Sequence, residues 1–230
     1  MLRSEDFFDL SEFDHPQFFQ GIDYVWDALK KLPGYIETHL NPGIKGTIMA
    51  GAWIVGNDIS IGAGSIVEPG AYIAGPSIIG ESCTIRSGAY IRGNVLLGDR
   101  CIVGHTSELK NAVMLDGSQA PHFNYVGDSI LGRNVNLGAG TKLSNLKIVE
   151  GTVRIKIAGT VYDSGLRKFG AILGDNAQSG CNSVLSPGTL VGKNSLIYPN
   201  ATVSGYIAPN SLVKLRQTQE IAEMRSRGPE

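Results

Sequence analysis

A period of six constrains this chain more than anything else in it. Met49, Val55, Ile61, Val67, Ile73, Ile79, Ile85, Ile91, Leu97, Val103, Leu109 and Leu115 stand six residues apart without a gap. Four places after the aliphatic comes a small or β-branched side chain: Ile59, Ser65, Ala71, Ser77, Cys83, Ala89, Val95, Cys101, Ser107 and Val113. The series resumes at Leu131, Leu137 and Leu143, and again at Leu173, Leu185, Val191, Ile197 and Val203, with Ser179 the polar member. An amphipathic helix repeats near 3.6 and a half-buried strand at 2, so neither alone gives six. Three short strands per 18-residue turn do. The pattern predicts an all-β prism, a parallel β-helix with the aliphatic pointing inward and the small residue near a corner. Thirty glycines in 230 residues then supply the turn conformations that other residues adopt at a cost. Coils stacked about 4.8 Å apart give seven or eight rungs and a prism roughly 35 Å tall.

Composition removes other classes. Hydrophobic residues make up 42%, too many for general disorder. A formal charge of −1 argues against a protein that grips phosphate backbones, so no nucleic-acid partner is expected. No apolar run approaches the roughly 18 residues needed to cross a bilayer. Met1 is followed by Leu-Arg-Ser-Glu-Asp instead of a basic and apolar leader, so no membrane partner and a cytoplasmic location are expected. Three cysteines without paired spacing read as reduced thiols.

The period divides the chain. Residues 1–42 lack it and hold Phe7, Phe8, Phe13, Phe18, Phe19, Tyr24, Trp26 and Tyr35. Residues 23–31 read as a helix stopped by Pro33-Gly34. The segment as a whole reads as a helical cap over an open end of the prism. Residues 43–211 form the β-helix, interrupted at 146–170 by a hairpin that turns at Ala158-Gly159. Residues 212–230 read as a short helical tail.

Two features exceed what a scaffold needs. Leu115 and Leu131 are 16 residues apart where three hexapeptides need 18, which puts a coil break around Pro121-His122-Phe123-Asn124-Tyr125. His122 at that break is a candidate general base; His105, at an ordinary repeat position, reads as surface. Arg92 and Lys110, 18 apart, should stack one rung apart on the outer surface. Two such cations repel unless an anion lies between them, with Glu108 a partial offset, which points to a phosphate-type ligand. No histidines converge at short spacing, so no metal is expected. Cys83 and Cys101 fill the small-residue position, whereas Cys181 is placed to line a cleft.

Three pieces carry a resemblance: Glu108-Leu109-Lys110-Asn111, then His122-Phe123-Asn124-Tyr125-Val126-Gly127-Asp128, then Asn134-Val135-Asn136-Leu137-Gly138-Ala139-Gly140-Thr141. In order and at these spacings, 92–145 resembles the acetyltransferase domain of the bifunctional glucosamine-1-phosphate acetyltransferase/N-acetylglucosamine-1-phosphate uridyltransferase family of hexapeptide-repeat acyltransferases. The resemblance fails in 1–42, where that family carries a nucleotidyltransferase domain. It implies a left-handed coil and a homotrimer, with acetyl-CoA as co-substrate and an amino-sugar phosphate as acceptor. It implies that His122 takes the proton from the sugar amine, supported by Glu108, with Asn145 also in the catalytic set. Arg92, Lys110, Tyr125, Asn136 and Lys168 fall on substrate positions, although a longer insertion precedes Lys168 here. Ala139, Cys181, Pro199 and Arg216 fall on coenzyme A positions; the family's usual residues at 181 and 199 are serine and alanine. The expected function is acetyl-CoA-dependent N-acetylation of a hexosamine 1-phosphate. The alternatives are an acyltransferase for another amino sugar or sugar nucleotide and a non-catalytic trimeric scaffold.

Overall fold

A computed structural model describes residues 2–223. The hexapeptides form short strands on three faces of a prism. One face is a nine-stranded parallel sheet running from Thr47–Ile48 to Leu212–Val213. The other two faces are joined in a fifteen-stranded sheet, because the strands Glu108–Met114 and Tyr125–Leu131 each turn a corner without a break. Nine rungs are present against the seven or eight expected, for a height of about 38 Å. The interior is dry and aliphatic: Ile61, Ile73, Ile85, Val103 and Leu137 are completely buried. Cys83 and Cys101 fill small interior positions, as their place in the repeat predicts.

The repeat shortens earlier than its hydrophobic series indicates. Leu97, Met114 and Leu131 are in register, so Met114 takes the interior place expected of Leu115. Leu115 packs outside instead. Two rungs lose one residue each, at Asn111 and Asp128, which replace a two-residue corner such as Gly93-Asn94. Both adopt left-handed φ, +47° and +48°, which asparagine and aspartate tolerate better than most residues. The coil break therefore lies at these two corners, and 121–125 is carried along between them.

Residues 4–40 run along a side of the prism, not over its end. On that face the middle residue of each strand points outward and is aliphatic on six rungs: Ile78, Leu96, Val113, Ile130, Ile172 and Leu190. Each is worth about 1.5–3 kcal/mol when covered, so this stripe attracts the aromatic segment more strongly than a single terminal rung does. Phe7, Phe8, Phe18, Trp26 and Leu32 complete this second core. The segment contains α1 (Ser4–Phe7), a 3-10 turn (Pro16–Phe19) and α2 (Asp27–His39). α2 runs through Pro33-Gly34, where the sequence predicts a stop. An interior proline costs about 3 kcal/mol. Ala28, Leu29, Leu32, Tyr35 and Ile36, all buried on one side of α2, outweigh that cost.

The 146–170 insertion holds the antiparallel strands Arg154–Ile157 and Thr160–Asp163. Ala158 and Gly159 both have positive φ, as a tight hairpin turn requires. Tyr162 packs on Tyr24 and Trp26, and Val153, Ile155 and Ile157 join the second core. The expected helical tail is absent from the described residues: Leu212–Val213 is the last strand and 214–223 are irregular. Six of the ten side chains in 214–223 are charged or amide, and the apolar Leu215 and Ile221 among them are exposed, so no tertiary packing holds a helix there. The remainder of that expectation, 224–230, lies outside the described residues.

Candidate active site

Sheet register brings the separated sequence positions together. His122 ends the strand Gln119–His122 and lies in register with His105 one rung below. The corner ladder continues upward: Gly140 N–H bonds to the His122 carbonyl (3.0 Å), Asn182 N–H to that of Ala139 (2.8 Å), and Asn200 N–H to that of Cys181 (2.8 Å). His105, His122, Ala139, Cys181 and Pro199 thus form one column on one corner. The wall beside it is bare, since a Cβ on Gly138 would lie 2.5 Å from the Gly180 backbone and one on Gly180 2.3 Å from Pro199. Gly138 and Gly140 N–H groups are bonded within the coil, whereas that of Ala139 has no partner among the described residues.

The turn residue after each column position is left-handed. Gly88, Gly140, Asn182 and Asn200 adopt this conformation with little strain, but Thr106 (φ +51°) and Phe123 (φ +39°) occupy the same place. For a β-branched or bulky residue that backbone is strained, and such strain gathers at functional sites. Phe123 is 54% exposed, so burial does not explain its presence. Asn124 fixes the turn. It is buried, accepts the His122 N–H on its side-chain oxygen (3.0 Å) and donates to the Gly138 carbonyl (2.8 Å).

Around this corner opens a cavity of about 580 Å³ lined by Glu108, Phe123, Asn124, Tyr125, Lys142 and Asn145, among others. The lining residues Glu108, Tyr125 and Lys142 are in register on successive rungs, with Tyr90 one rung below Glu108. Arg92 and Lys110 do stack on successive rungs, but each already has a carboxylate. Arg92 pairs with Glu108 at 2.7 Å and Lys110 with Asp128 at 3.4 Å. The hydrogen bond and charge of Glu108 raise the Arg92 pKa. Among the described residues Glu108 makes no hydrogen bond to His122; its Oε1 accepts from the Arg92 guanidinium of the neighbouring rung. Burial raises the Tyr125 pKa, with the charges of Glu108 and Asp128 adding to it, so its hydroxyl stays protonated.

The remaining expected residues are dispersed. Asn136 lies on the nine-stranded face between Gln119 and Gln178, beside the histidine column and outside the cavity lining. Lys168 is exposed and bridges to Leu146, a lining residue. Arg216 is exposed beyond the last strand and makes no hydrogen bond or ion pair among the described residues. Cys181 and Pro199 are exposed on the column. The repeat and the family motif together give no role to Phe123, Asn124 or Asp128. A signal was there: the corner position is Gly or Asn on other rungs and Phe or Thr only at 123 and 106.

Residues 73–165 match the family profile of the GMPPB C-terminal domain. A bifunctional sugar-1-phosphate nucleotidylyltransferase/acetyltransferase of Sulfurisphaera tokodaii is 41% identical over 101 residues, 44% of this chain and 25% of that protein. A bifunctional protein GlmU of Methanococcus maripaludis is 33% identical over 209 residues, 91% of this chain. The chain resembles the GlmU proteins. It spans half the length of that Methanococcus relative. The UDP-N-acetylglucosamine acyltransferase structure from Francisella novicida superposes with a TM-score of 0.52 at 16% identity, over 70% of this chain and 62% of that one. At that identity the likeness speaks for the fold alone.

Proposed function

We propose that this protein is an acyltransferase that moves the acetyl group of acetyl-CoA to the amine of a hexosamine 1-phosphate such as glucosamine 1-phosphate. The observation that carries this reading is the corner column. It aligns the expected base, His122, with the expected coenzyme A positions Ala139, Cys181 and Pro199, beside a cavity holding Tyr125 and Asn145. In this reading the coil is left-handed, the protein is a cytoplasmic homotrimer, and a neighbouring prism closes each open cavity. Likeness to the GlmU proteins supports the acceptor class, and the bare glycine wall supports a thioester lying along the column.

The chemistry follows from the groups present. His122 removes a proton from the sugar ammonium and the free amine attacks the thioester carbonyl. The Ala139 N–H, unbonded in the coil, is the donor for the oxyanion that forms. The C–S bond breaks as the amide forms, and the coenzyme A thiolate leaves and takes up a proton. Arg92 and Lys110 hold the phosphate by exchanging their carboxylate partners for it. Cys181 and Pro199, bulkier than the serine and alanine usual in the family, favour as a second reading a different acyl donor. A thiol-release assay across amino-sugar 1-phosphates, sugar nucleotides and acyl-CoAs tests both. The primary reading expects the highest kcat/KM with a hexosamine 1-phosphate and acetyl-CoA, and no thiol release with any pair would overturn it.

A further inference from the structure

Asp128 is a buried carboxylate, only 5% exposed, at the left-handed corner between Gly127 and Ser129. Its Oδ1 accepts the Asn111 amide at 2.9 Å, and its Oδ2 accepts Asn145 from above. The Lys110 ammonium approaches Oδ2 at 3.4 Å, longer than the 2.7–2.9 Å of a tight charge-assisted bond. The Asp128 carbonyl accepts Gly170 N–H at 2.8 Å. Asn145 begins the excursion away from the coil and Gly170 ends it, so one residue holds both ends. The Asn145 amide and the Tyr125 hydroxyl close over Gly127 together: a Cβ there would lie 2.8 Å from the first and 2.6 Å from the second.

We propose that Asp128 is the positioning residue of this site. Anchored by two amides, it holds Asn145 in place beside Tyr125 for the sugar and serves as the resting counter-ion of Lys110, which an incoming phosphate must take from it. The corner itself does not require an aspartate. One rung below, Asn111 makes the same turn at φ +47°. Asparagine at 128 would satisfy the backbone and one amide, and would lack the charge for Lys110 and the second acceptor oxygen. The inference rests on the acyltransferase reading above, and its test separates the two.

The variant is Asp128→Asn, which keeps shape and turn propensity, with Asp128→Glu as the charge-retaining control. Inorganic phosphate binding by calorimetry reads the counter-ion role without any activity. Phosphate should bind about three- to tenfold more tightly to Asp128→Asn, because Lys110 has lost its partner. That gain should vanish in a Lys110→Met background. In turnover, the misplaced Asn145 should lower kcat roughly 10- to 100-fold without raising KM for the sugar phosphate. Weaker or unchanged phosphate binding in Asp128→Asn would overturn the assignment, as would a gain that persists without Lys110. An active parent whose kcat is unaffected overturns the positioning role alone. A parent that binds no phosphate and acetylates no amino-sugar phosphate overturns both this inference and the reading beneath it.

Discussion

His122 stands one rung above His105 in strict sheet register, yet the two imidazoles are in different situations. His105 Nδ1 donates to the Ser87 carbonyl at 2.6 Å, an anchored surface histidine. The His122 ring makes no hydrogen bond to any described residue; only its backbone is held, by Asn124 and Gly140. A base must keep a nitrogen free for the proton it takes, and of this pair His122 is the one with both ring nitrogens free.

Arg92 and Lys110 are stacked but already paired, so under the proposed function a phosphate ligand has to displace Glu108 and Asp128 instead of filling an empty cationic slot. Arg92→Ala or Lys110→Ala should weaken binding of the sugar phosphate roughly tenfold, the worth of one charged hydrogen bond. Coenzyme A affinity should be unchanged. Calorimetry with each ligand checks this; equal losses for both would mean that the pair is not a phosphate site.

The strained corner predicts a trade between stability and activity. Phe123→Gly removes a bulky side chain from φ +39° at an exposed position, which should stabilise the fold by about 1 kcal/mol. The melting temperature should rise by about 2–4 °C. Turnover should fall, because Phe123 lines the cavity. A lower melting temperature would show that the ring packs more than its exposure indicates.

Much of the fold is legible in the sequence because interior positions obey one rule per hexapeptide: Ile61 through Leu109 all face the axis as the period predicts. The reading slipped at Leu115 because Met114 is equally apolar, and a one-residue deletion at a corner is invisible where two adjacent residues can both serve as the inward one. The side stripe was hidden for a related reason. Leu96 and Ile130 are hydrophobic neighbours of inward residues, and only register shows that six of them align. At the site, Tyr125 and Asn145 of the motif line one cavity, and His122 stands outside that lining on the corner column. The pairing of Glu108 with Arg92 is a diagonal one: Glu108 stands in register with Tyr90, two places before Arg92, so side-chain length and not the repeat decides which of the two cations it meets.

A pH effect on the side-packed segment follows from His15. Burial lowers its pKa below the ordinary value of 6.5, and its Nδ1 is hydrogen-bonded to the Tyr35 hydroxyl at 2.9 Å. Burial pushes that tyrosine up to about 12, so it remains a donor throughout. A histidine with a folded pKa below its unfolded one binds fewer protons when folded. Stability is therefore full above about pH 6.5 and falls as pH drops through the unfolded value towards the folded one. Thermal unfolding at pH 7.5 and 5.5 should show a larger loss for the parent than for His15→Gln. Equal losses would exclude His15 as the cause.

The homotrimer that the family resemblance implies would roof the open cavity, so a chain of 24.5 kDa should scatter light as three copies. A fully active monomer at micromolar concentration would remove the intersubunit site.

Turnover of His122→Ala against pH, beside the parent and His105→Ala, is the decisive measurement. Acetyl transfer to the preferred hexosamine phosphate should fall about 10²- to 10⁴-fold in His122→Ala, with the fold and oligomeric state retained. The parent rate should decline as pH drops through the titration of its base, and the residual rate of the variant should lose that dependence. His105→Ala should behave as the parent does. A folded, assembled His122→Ala protein with near-parental turnover would contradict the assignment of His122 as the base.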